Sequence, residues 1–66
     1  MNDTLSKLKS LLSYWLEHNG EHREEFQEWA DKIAGEHPGI AEQLRQAADK
    51  MAETDQYLNK AHDLLK

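Results

Sequence analysis

Apolar residues return every three or four positions along both halves of the chain, forming two stripes of seven-residue period. The first runs through Leu5, Leu8, Leu12, Trp15, Asn19, His22, Phe26, Trp29 and Ile33; the second through Ile40, Leu44, Ala47, Met51, Thr54, Leu58, Ala61 and Leu65. Such spacing puts every member on one side of an α-helix. No stretch alternates apolar and polar residues as a half-buried strand does, Val is absent and Ile occurs only twice. The pattern predicts an all-α protein with a single helical domain over residues 1–66.

The stripes are divided by Gly35-Glu36-His37-Pro38-Gly39. Gly35 suits the left-handed position after a helix end, and Pro38 suits the first turn of the next helix. Asn2, Asp3 or Thr4 can cap the first helix. The expected helices span about 4–34 and 38–65, roughly 46 and 42 Å long at 1.5 Å per residue. Folding at the loop pairs Ile33 with Ile40, Trp29 with Leu44, Phe26 with Ala47, His22 with Met51, Asn19 with Thr54, Trp15 with Leu58, Leu12 with Ala61 and Leu8 with Leu65. All of these pairs are symmetric about a point between residues 36 and 37, and large residues tend to face small ones. An antiparallel hairpin with left-handed coiled-coil packing is expected. A turn at Asn19-Gly20 would instead give a monomeric three-helix bundle. The stripe does not slip across that dipeptide, and Gly20 falls off it, where glycine costs about 1 kcal/mol relative to alanine. A continuous helix is the better reading.

A 66-residue chain has a marginal core of its own. Leu11, Leu16, Tyr57 and Leu64, with Ala30, Ala41 and Ala48, flank the stripes and widen the apolar face. That width predicts a partner: a second copy completing a two-fold four-helix bundle, or another protein. Trp15, Phe26, Trp29 and Leu58 are the expected interface anchors. The net charge of −5 argues against nucleic acid and anionic membranes as partners. No apolar run approaches the roughly 20 residues of a membrane span, and the N-terminus lacks a basic-then-apolar leader, so a cytoplasmic protein is expected. With no cysteine, a metal site must use nitrogen and oxygen ligands.

The densest chemistry is Glu17-His18-Asn19-Gly20-Glu21-His22-Arg23-Glu24-Glu25. His18, His22 and Glu25 share a helix face, and two histidines at this spacing form a bidentate arrangement for zinc, nickel or copper. A second hairpin could complete a site at a two-fold axis. The competing reading is structural: Asn19 opposite Thr54 forms a polar layer that fixes register and oligomeric state. Neither His-Glu-x-x-His nor the paired Glu-x-x-His of di-iron bundles is present. The chain also carries no nucleophile–base pair and no phosphate loop, so a non-enzymatic protein is expected. His62 and Asp55 read as solvated flank residues, His37 as a cap or solvated loop residue, Met51 as core filler and Tyr14 as part of a contact surface.

The segment Trp15-Leu16-Glu17-His18-Asn19-Gly20-Glu21-His22, followed by Phe26, Trp29 and Ala30, resembles a group of short, uncharacterised bacterial and archaeal helical proteins. Their signature is Trp-x-Glu-His-Asn-x-Glu-His, followed by Phe-x-x-Trp-Ala and a second Ala/Leu-rich helix. The resemblance implies a helical hairpin with His18, Asn19, Glu21 and His22 as the functional cluster, and it implies no activity. Gly20 stands where that group more often has Glu. The expected function is a small helical interaction or oligomerisation module; the sharp alternative is divalent-metal buffering or sensing. A third reading is pH-dependent association through the clustered histidines.

Overall fold

The computed structural model describes residues 3–65. It contains two helices, α1 (Asp3–Ile33) and α2 (Pro38–Leu64), and no strand among the described residues. Cross-helix bonds join Ser13 to His62, Arg23 to Asp55 and Asp31 to Arg45, so the helices run antiparallel. The resulting rod measures 55 × 14 × 12 Å.

Both helices lie within one residue of the bounds expected from the stripes. Asn19 and Gly20 are inside α1, which excludes the three-helix alternative. A Cβ placed on Gly20 would meet nothing within 4 Å. Gly20→Ala is therefore expected to stabilise the hairpin by roughly 1 kcal/mol, the helix-propensity difference, with no packing penalty. A urea melt should show the gain, and a destabilised variant would contradict the open space seen here.

The connection is closed by the His37 and Glu36 N–H groups, which donate to the Ile33 carbonyl at 2.7 and 3.1 Å. Gly35 does not take the expected left-handed conformation: no glycine among the described residues has positive φ. The turn continues the helical hydrogen bonding for one step, so a left-handed cap is not needed. His37 occupies the N-cap position of α2 with φ −135° and ψ 68° and makes no side-chain cap bond. Its backbone is extended because the Pro38 ring disfavours a helical residue before it. Its carbonyl instead accepts the Ala41 N–H at 3.0 Å. Pro38 opens α2 as expected, where its missing N–H costs nothing. Asp3 begins α1, where a carboxylate complements the helix dipole; Asn2 lies outside the described residues.

The seam between the helices differs from the expected one in half of its positions. Leu12, Asn19, Phe26 and Ile33 on α1, and Leu44, Met51, Leu58 and Leu65 on the facing segment, are at least half-buried as expected. The other half moves one residue along the chain. Leu16 and Ala30 replace Trp15 and Trp29, Arg23 joins a His22 that stays at least half-buried, and Ala41, Ala48, Asp55 and His62 replace Ile40, Ala47, Thr54 and Ala61. The most buried apolar residues are Leu12, Ala30, Ala41 and Ala48, at 3, 0, 1 and 1% exposure. Two causes favour this rotation. Alanine on the seam lets the helices approach closely, which two indoles there would prevent. It also brings Arg23 and Asp55 face to face, so that each charge is compensated. Ala47 and Ala61, expected opposite Phe26 and Leu12, are exposed instead. The helices are also staggered: Asp55 lies between the levels of Asn19 and Arg23, which moves the centre of the fold to about residue 38.

Candidate functional site

A polar cluster interrupts the middle of the seam, and its acceptor is Asp55. Asp55 as a whole residue is 8% exposed. It accepts from Asn19 Nδ2 at 3.0 Å and from Arg23 Nη1 at 3.3 Å. Asn19 is therefore a polar seam residue as expected, but Thr54 is not its partner. Thr54 is exposed, and its hydroxyl donates back to the Lys50 carbonyl at 3.0 Å, one turn earlier in its own helix. Asp55 and His62, expected in solvent, are on the seam; His62 Nε2 is 3.4 Å from Ser13 Oγ. The sequence did carry a signal for Asp55, which falls four residues after Met51 and three before Leu58, in phase with the buried positions. Among the described residues no buried side-chain nitrogen or oxygen lacks a partner.

His18 and His22 lie beside this cluster on the surface of α1, with side chains 48 and 42% exposed. Their Nε2 atoms are 3.0 Å apart. Each Nδ1 faces a carboxylate three residues further on: Glu25 at 3.2 Å from His22, and Glu21 at 3.9 Å from His18. The rings belong to an aromatic row at four-residue spacing. Tyr14 stacks on His18 with centroids 5.3 Å apart, His18 meets His22 edge-on at 4.5 Å, and His22 stacks over Phe26 at 6.1 Å. Tyr14 thus steadies His18. The expected ligand set of His18, His22 and Glu25 is not assembled as three ligands. Glu25 stands behind the His22 ring, and no three metal-capable side chains among the described residues are grouped around one point.

The residues displaced from the seam gather on one side of the hairpin. In an antiparallel pair of helices, residues one position before the seam positions of each helix point to the same side. That side carries Leu8, Leu11, Trp15 and Trp29 from α1 and Ile40, Tyr57 and Leu64 from α2, all exposed. Trp15 and Trp29 are 38 and 55% exposed, so they do not anchor the seam between the helices; Phe26 and Leu58 do. Lys32 lies over the Trp29 ring at 4.5 Å. The opposite side is polar, with Glu17, Glu24 and Asp49 exposed along it and Arg45 paired with Asp31 at 2.7 Å. The two histidines sit midway along the apolar side, between the tryptophans.

These features define a two-helix protein with a polar seam centre, one apolar face and a surface histidine pair. The chain belongs to a family described as a domain of unknown function (DUF8180), whose model matches residues 8–65. It is similar to an uncharacterized protein of Archaeoglobus fulgidus, with 48% identity over 61 residues, covering 92% of this chain and 98% of that protein. No solved structure matches it. No helix among the described residues is long and apolar enough to cross a membrane.

Proposed function

We propose that the hairpin is half of a symmetric four-helix bundle and that the protein serves as a small, non-enzymatic oligomerisation module. The observation that carries this reading is the apolar face bearing Trp15 and Trp29. A surface of 5183 Å² supports it. A compact monomer of 7.7 kDa exposes about 4300 Å². The excess, about 900 Å², is close to the roughly 800 Å² per partner of a standard stable interface. A second copy fits the face because the face is self-complementary. Trp15 and Trp29 lie seven residues either side of His22, so a two-fold axis at His22 sets Trp15 of one hairpin against Trp29 of the other. Coiled-coil packing then extends from the hairpin to the whole bundle.

Sedimentation equilibrium tests the assembly. The parent chain should be a dimer at micromolar concentration, and Trp15→Glu combined with Trp29→Glu should give a helical monomer. A parent chain that stays monomeric at about 100 μM, well above the dissociation constant an interface of this size supports, would refute the proposal.

A further inference from the structure

The histidine pair has a geometry that the hairpin alone does not use. The Nε2 atoms of His18 and His22 lie 3.0 Å apart, and the Glu25 carboxylate, 3.2 Å from His22 Nδ1, accepts an N–H there and so leaves the Nε2 lone pair of that ring free. A divalent ion that accepts a lone pair from each Nε2 can take the place of the hydrogen bond between them. Metal–nitrogen bonds of about 2.0–2.1 Å over this separation subtend roughly 95° at the ion, within reach of tetrahedral or square-planar coordination. Glu25 acts as an orienting group that fixes the tautomer and direction of the His22 ring and raises its basicity, while Glu21, 3.9 Å from His18 Nδ1, adds negative charge beside the pair. One chain therefore offers two nitrogen ligands, and the set is incomplete.

We propose that His18 and His22 from two copies of the chain bind one divalent transition-metal ion, of the zinc, nickel or copper class, on the two-fold axis of the dimer. The inference rests on the dimer proposed above, and it follows from where the pair sits. Trp15 and Trp29 are symmetric about His22, and the midpoint of the histidine pair lies two residues, about 3 Å, from that level, so an axis displaced by that distance brings the two histidine pairs together. Four imidazole nitrogens then surround the axis, and water is excluded by the apolar residues on either side. Glu21 and Glu25 from each copy offset the charge of the ion.

The test is to titrate Zn(II), Ni(II) and Cu(II) separately into the full chain at neutral pH and to weigh the native complex. One ion per two chains is expected, with the dimer dissociation constant lowered at least tenfold at saturating ion. His18→Leu and His22→Leu should each abolish this uptake while leaving a helical dimer, because leucine preserves the apolar face. Glu25→Gln should keep the stoichiometry and weaken uptake about tenfold or more. A dimer that takes up none of the three ions overturns the metal site and leaves the assembly standing. One ion per monomeric chain overturns the shared site, and uptake unaffected by both leucine variants overturns the ligand assignment. A monomer without metal overturns site and assembly together.

Discussion

Arg23→Ala is expected to destabilise the hairpin by about 2–3 kcal/mol, or roughly 10–20 °C in melting temperature for a domain of this size. Asp55 has a side chain only 12% exposed, and without Arg23 it keeps a single neutral donor, the Asn19 amide. The figure lies below the 3–5 kcal/mol of a fully buried pair because Arg23 itself is 36% exposed. Asp55→Ala should cost less, since the freed guanidinium can turn to water. The decisive variant is the double replacement Arg23→Met with Asp55→Met. Two apolar side chains on the seam remove the desolvation penalty along with the pair, so stability should return to near the parent value or exceed it. Chemical denaturation of the parent, Arg23→Met, Asp55→Met and the double variant forms a double-mutant cycle, and a coupling energy near zero would mean that the two residues do not act as a pair.

Ala48→Leu and Ala30→Leu should each cost about 1–3 kcal/mol through overpacking. Ala30 and Ala48 are 0 and 1% exposed, and a Cγ branch at either site must push the helices apart. Ala47→Leu, one position away and exposed, should stay within about 0.5 kcal/mol of its parent. The comparison belongs in the Trp15→Glu/Trp29→Glu background, so that assembly does not enter. A larger cost at position 47 than at position 48 would put the seam where the stripes alone had placed it.

That contrast shows what the sequence revealed and what it withheld. The helices, the loop and the continuity through Gly20 were legible because each depends on local signals: periodicity, Pro38 and helix propensity. The facing side was not, because apolar residues occupy three adjacent lines of α1 and a two-helix seam uses only two. By hydrophobicity Trp15 and Trp29 outrank Arg23 and Ala30, so the tryptophan line looked like the core. What reversed the order was complementarity between residues far apart in the chain, Arg23 with Asp55 and alanine with alanine, and local periodicity carries no trace of it. The histidine pair was legible as a pair at positions 18 and 22. The side of each ring taken by a carboxylate was not, because spacing alone does not separate a ligand from a residue that holds a ligand.

Pro38 has a consequence for how two chains can associate. Hairpins with short loops can open and exchange arms, the two helices fusing across the loop into one long rod. Here that rod would carry proline in its interior, where the ring collides with the Ala34 carbonyl and a hydrogen bond is lost, at a cost of about 3 kcal/mol or more per chain. The extended backbone of His37 would have to become helical as well. Domain exchange is thereby disfavoured, and each chain is held to closing on itself before it meets another.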